Sequence, residues 1–213
     1  MVEYGKIFEA NFFAHLTQFW AYPVYNHSIN YLNILMGDYN NCAFPIIYLS
    51  KDEEYVKNKK MTDFLSTGGL TREYVVTEKV IDVLSTNNIT GWKTYPVEVY
   101  DKNENYIGGY YGLTITGRCM AIKPSLTELY VDSNGNKSFK GLPLDLETWD
   151  GSDLFLLQGL FPVYFTKKAV DAVKKNKLTN IYFEDIADYT ERLDPVFKNK
   201  PFWENNEDVK ISE

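Results

Sequence analysis

Apolar and polar positions alternate unevenly along the chain, and the pattern changes character about a third of the way in. Near the start, Phe8, Phe12, Leu16, Phe19 and Trp20 recur at roughly helical spacing and predict a helix over 8–22, stopped by Pro23. Asp38–Asn41 punctuates the chain, 44–49 reads as a strand, and 51–60 as a charged, solvated connection. Met61–Ser66 suggests a short helix, with Gly68–Gly69 as a break. Further on the pattern becomes that of strands. Tyr95–Tyr100 and Tyr106–Thr116 are joined by the turn-rich DKNEN, and Thr127–Val131 and Lys137–Leu142 flank a hairpin signal with Asn134–Gly135 at its tip. The apolar run Leu154–Phe165 is interrupted by Gln158, Gly159 and Pro162, so it reads as strand, turn, strand rather than a membrane span. After Pro195 the chain turns polar, with Pro201–Phe202–Trp203 a docking point and 204–213 a frayed end.

One pattern occurs twice. Residues 74–91 read YVVTEKVIDVLSTNNITG and residues 163–180 read VYFTKKAVDAVKKNKLTN. At an offset of 166 − 77 = 89, Thr77, Lys79, Asp82, Asn87 and Thr90 meet Thr166, Lys168, Asp171, Asn176 and Thr179. Apolar positions correspond as well, Leu84 with Val173 and Ile89 with Leu178 among them. Each copy predicts the end of a strand, a threonine capping a helix through its hydroxyl, and a turn into a following strand, Trp92–Tyr100 or Ile181–Phe183. The expected fold class is therefore α+β, with mixed or antiparallel sheets, a few short helices, and two similar strand–helix–strand units flanking a β-rich middle. The expected divisions are an aromatic-rich N-terminal segment over 1–60, an α+β domain over 61–195 and a polar tail over 196–213.

Composition adds limits. Aromatics make up 16% of the chain, with 17 Tyr and 13 Phe, which suits sheet and equally suits a recognition surface. A net charge of -7 disfavours binding to phosphate backbones and favours a basic protein partner or plain solubility. Cys42 and Cys119 have neither disulfide-framework nor zinc spacing, and the N-terminus lacks a signal-peptide pattern, so a cytoplasmic protein with free thiols is expected.

Candidate chemistry is thin. The two histidines, His15 and His27, form no nucleophile–base order with serine or cysteine, and HExxH, P-loop and Rossmann motifs are absent. The densest cluster is LDLETWDGSDLFLL, where Asp145, Glu147, Asp150 and Asp153 surround Trp149. It fits three readings: a site for a hard divalent cation serving an enzyme, an acidic aromatic knob for a partner's basic cleft, or a turn at Asp150–Gly151. Arg118 is a candidate for a bidentate ion pair with one of these carboxylates, and Cys119 reads as buried and inert. Exposed aromatics keep a carbohydrate-binding or scaffold role open.

Three segments together resemble a family of bacterial immunity proteins from polymorphic-toxin and contact-dependent competition loci. They are GWKTYPVEVYDKNENYIGGYYGLTITGRC (91–119), WDGSDLFLL (149–157) and VYFTKKAVDAVKKNKLTNIYFEDI (163–186). The resemblance covers roughly residues 61–190, and its most specific parts are YYGLTITGRC and WDGSD. It implies an inhibitor that binds and neutralises a cognate protein toxin, not an enzyme, with no cofactor or metal. A basic toxin is expected, with Trp149, Asp150, Asp153, Tyr110 and Tyr111 as contact residues. Because shared motifs suit a scaffold better than the choice of one toxin, specificity is expected in the first sixty residues.

Overall fold

A computed structural model describes residues 6–12, 18–24, 31–40, 42–50, 60–67, 74–123, 128–131, 137–157 and 160–192. His15, His27, Gly68–Gly69, the Asn134–Gly135 tip and the tail over 196–213 lie outside the described residues. The chain opens with strands β1 (Ile7–Asn11) and β2 (Trp20–Pro23), a short helix α1 (Tyr31–Leu35), and strands β3 (Ile46–Leu49) and β4 (Ser66–Thr67). The first repeat contributes β5 (Tyr74–Thr77), α2 (Glu78–Thr86) and β6 (Trp92–Tyr100). Strands β7 (Tyr106–Ile107), β8 (Tyr110–Ile115) and β9 (Gly117–Cys119) follow, then the hairpin β10 (Glu128–Val131) and β11 (Lys137–Lys140). A 3-10 turn at Leu146–Thr148 leads to β12 (Leu154–Leu157). The second repeat is β13 (Leu160–Thr166), α3 (Lys167–Lys175) and β14 (Tyr182–Asp185), and β15 (Thr190–Arg192) comes last.

The fold is α+β with short helices, and the two strand–helix–strand units flank the β-rich middle as the sequence predicts. Two expectations fail. The stretch expected to form a helix over 8–22 contributes β1 and β2 instead. Strand β1 pairs antiparallel with β13 on one side and β14 on the other, so two ladders of long-range hydrogen bonds outweigh a helical spacing of aromatics. Met61–Ser66 is likewise extended, with Phe64 bridged to Val76 and Ser66 paired to Trp20. Within the described parts of 1–60, β1 lies in one sheet while β2 and β3 lie in another.

One sheet runs β4-β2-β3-β6-β8-β5, with β7 on β6. It closes on itself, since the residues leading into β4 also pair with β5 through the Phe64–Val76 bridge and the Leu65 N–H to Val75 O hydrogen bond of 2.9 Å. The other large sheet runs β14-β1-β13-β12-β9. Residues 141–144 connect its two ends, through Leu142 N–H to Ile186 O and an Ile122–Leu144 bridge. A small sheet, β10-β11-β15, adjoins it.

Each closed half holds its own core. Ile46, Tyr48, Val75, Tyr95 and Val99 fill the first, and Ile7, Cys119, Leu144, Phe155 and Tyr164 fill the second. Between them lies a third cluster built from both repeats, with Val80, Val83 and Leu84 of α2 meeting Ala169, Val170 and Val173 of α3. Burying each of the larger aliphatic side chains contributes about 1.5–3 kcal/mol.

The helix ends repeat atom for atom. Asn87 donates from Nδ2 to Val83 O at 2.8 Å and Asn176 to Ala172 O at 2.9 Å. The next residues, Asn88 (φ 50°) and Lys177 (φ 51°), both turn left-handed and stop the helix.

Candidate functional site

The WDGSD segment stands between the two halves, and its last residue is the most heavily engaged. Asp153 has a side chain only 12% exposed. Its Oδ2 accepts from Thr90 N (3.0 Å), Thr90 Oγ1 (3.2 Å) and Lys168 Nζ (2.9 Å), and its Oδ1 from Thr166 Oγ1 (2.9 Å). Its own N–H donates to Thr90 Oγ1. Burial by itself would raise the carboxyl pKa, but the hydrogen bonds from Lys168, Thr166 and Thr90, with the Lys168 charge, outweigh it and hold the group below its ordinary value.

The same constellation occurs a second time, around Asp63. Its Oδ2 accepts from Thr179 N (2.8 Å) and Thr179 Oγ1 (2.9 Å), its Oδ1 accepts from Thr77 Oγ1 (3.1 Å), and Lys79 Nζ lies 3.6 Å away. Its N–H donates to Thr179 Oγ1. The bonds are exchanged between repeats. Asp153 holds the cap and lysine of the second unit and the turn threonine of the first, while Asp63 does the converse. Three of the five identities seen at the sequence offset, the two threonines and the lysine, are thereby explained; the asparagines bond their own helix ends, and the remaining pair, Asp82 and Asp171, is exposed on the helices.

Sequence reasoning missed Asp63. The signal was present one residue out of register: the aspartate precedes its capping threonine by 14 positions in the first unit and 13 in the second. The expected capping role also needs amending. Thr166 Oγ1 accepts from Ala169 N at a long 3.5 Å while donating to Asp153, and Thr77 makes no side-chain cap bond at all, donating to Asp63 instead.

The remaining candidates divide between scaffold and surface. Asp150 is exposed, yet its Oδ1 accepts from Ser152 N (2.9 Å) and its Oδ2 from Arg118 N (2.9 Å), so it shapes the turn in which Gly151 sits at φ 81°. Trp149 is half-buried, donates from its indole to Ser152 O and packs on Phe155 with ring centroids 5.4 Å apart. Asp153 was expected at a partner surface; its carboxylate faces inward instead, drawn there by four donors.

Arg118 does not form the expected bidentate ion pair. Its guanidinium Nη1 donates to the carbonyls of Ile115 and Gly117, both at 2.8 Å, where β8 passes into β9. Burial lowers its pKa and the Asp150 charge opposes that shift. Cys119 is fully buried, and burial pushes its thiol pKa up, as suits an unreactive cysteine.

Tyr110 is half-buried, with its hydroxyl 3.4 Å from Thr62 O; burial, then the Asp63 charge, pushes its phenol up to about 12. Tyr111 is 38% exposed on the outer face of β8. Asp145 caps the 3-10 turn by accepting from Glu147 N, and the exposed Glu147 lies 3.9 Å from Lys123. The four carboxylates of the cluster thus serve different local partners. Among the described residues no group of three or more His, Cys, Asp and Glu side chains is placed to hold a metal ion, and no helix is long and apolar enough to cross a membrane. No protein-family model and no curated protein matches the chain.

Proposed function

We propose that the protein is an immunity protein that binds and neutralises a cognate bacterial toxin, and that it acts by occupancy rather than by turnover. The observation that carries this reading is the physical union of the two segments most specific to the immunity-protein resemblance. YYGLTITGRC and WDGSD are distant in sequence, but β9 pairs in parallel with β12, Cys119 bridges to Trp149, and the Arg118 N–H donates to Asp150. Segments that resemble a family together and fold together support a shared scaffold more strongly than either does alone.

The acidic balance of the chain supports a basic partner. Co-expression of this chain with the polypeptide encoded immediately upstream of its gene tests the reading. Growth arrest caused by that polypeptide and relieved by this chain, with the two copurifying, is the expected result. An upstream product that is harmless, or harmful with or without this chain, refutes it.

A further inference from the structure

We infer that the outer face of the sheet formed by β2, β3, β6 and β7 is the surface on which the basic toxin docks. This rests on the toxin-binding reading and gives it a location. The strands alternate cleanly. Ala21, Ile46, Tyr48, Val97 and Val99 point into the first core, so their neighbours point out.

The strand register aligns those neighbours into rows. Tyr22 pairs with Leu49, Leu49 with Tyr100 and Tyr100 with Tyr106, giving one apolar row across all four strands. Beside it, Val24 donates its N–H to Ile47 O, and Ile47 pairs with Glu98. Tyr111, opposite Pro96, extends the face onto β8.

Seven large hydrophobic side chains stand exposed among the described residues, and four of them, Val24 (47%), Ile47 (41%), Tyr106 (62%) and Tyr111 (38%), lie on this face. Gathered in adjoining rows rather than scattered singly, they suit an interaction site.

The charge pattern selects the occupant. Glu98 is the carboxylate within the rows, fixed by the Tyr100 hydroxyl at 2.7 Å, and the adjoining turn adds Asp101 and Glu104 against a single Lys102. Tyrosine rings around a carboxylate complement an arginine or lysine set among apolar residues, which the ring faces and the carboxylate hold together. Position along the chain agrees. Strands β2 and β3 come from the first sixty residues, outside the resemblance, so half of this face is free of the shared scaffold.

The test titrates the upstream-encoded polypeptide, by calorimetry, into the full chain and into Ile47→Lys and Tyr106→Lys, with Lys174→Ala on α3 as control. Both positions are exposed, so cooperative unfolding like the wild type's checks that the fold survives. The expected result is binding weakened about thirtyfold or more by each lysine variant and unchanged by the control. Wild type that binds while both lysine variants bind equally well overturns this inference alone. Wild type that does not bind overturns the toxin reading and this inference with it. Sedimentation showing a wild-type dimer that either lysine variant dissociates assigns the face to a second copy, and glycan-array binding lost in those variants assigns it to sugar; both results overturn the assignment.

Discussion

At the scale of single residues, the chain spends its most conspicuous carboxylate on itself. Removing Asp153, whose side chain is 12% exposed, leaves Thr90 N–H, two hydroxyls and a lysine without their acceptor. Since Lys168 is half exposed and can turn to water, Asp153→Ala is expected to cost about 2–4 kcal/mol rather than the full penalty of an uncompensated buried charge. Asp63→Ala, at the equivalent point of the other repeat, should cost a similar amount, and urea denaturation measures both. A loss below about 0.5 kcal/mol for either would show the bonds to be incidental. The pH dependence has a definite sign. The Asp153 pKa is lower folded than unfolded, so its contribution is complete above the unfolded carboxyl value of about 3.9 and declines as pH falls through the depressed folded value. The stability gap between wild type and Asp153→Asn should therefore be constant near neutrality and shrink in acid. A gap that widens in acid contradicts the assignment.

At the scale of elements, the exchange of bonds makes the two repeats mutually dependent, and close packing leaves little slack where they meet the sheets. Gly112 on β8 shows this: a Cβ there would overlap the Tyr95 ring inside the first core. Gly112→Ala is expected to lower stability by about 1–3 kcal/mol through overpacking, read as a lowered denaturation midpoint. Unchanged stability would mean that Tyr95 moves freely. The sequence made some of these elements legible and hid others for physical reasons. The helices of the repeat could be read because caps, apolar faces and terminating asparagines are local features, spaced alike in both copies. The Asp63–Thr179 and Asp153–Thr90 bonds could not, because they join distant parts of the chain and the hairpin of the first unit is one residue longer. Strand β1 was misread since Phe8 and Phe12 have helical spacing, while the partners that make it a strand, Phe165 and Asp185, lie far along the chain. Arg118 was assigned to a carboxylate because sequence shows charges but not the two carbonyls presented to it where β8 passes into β9. Of the acidic cluster, the turn at Asp150–Gly151 was readable from its residue types, but the inward aim of Asp153 was not.

At the scale of the whole molecule, the internal pairing of aspartates decides which charges act at a distance. Asp153 and Asp63 are each compensated by a lysine close by, Lys168 at 2.9 Å and Lys79 at 3.6 Å, so they add little to the outer field. The net charge of -7 is consequently carried by the other carboxylates, and an acidic protein approaching a basic one is steered before contact. If the proposed partner is basic, the association rate should fall about tenfold or more between roughly 0.02 and 0.3 M salt, as the screening length shrinks, with much less change in dissociation. Stopped-flow mixing with the upstream-encoded polypeptide measures this. Local compensation adds a sharper expectation: removing the pair together, as Asp153→Asn with Lys168→Gln, should lower stability yet leave the salt slope nearly unchanged, whereas Glu98→Gln, which removes a carboxylate from the outer sheet face, should flatten it. An association rate indifferent to salt would remove electrostatic steering from the account, and equal slopes for wild type and Glu98→Gln would move the charged contact away from that face.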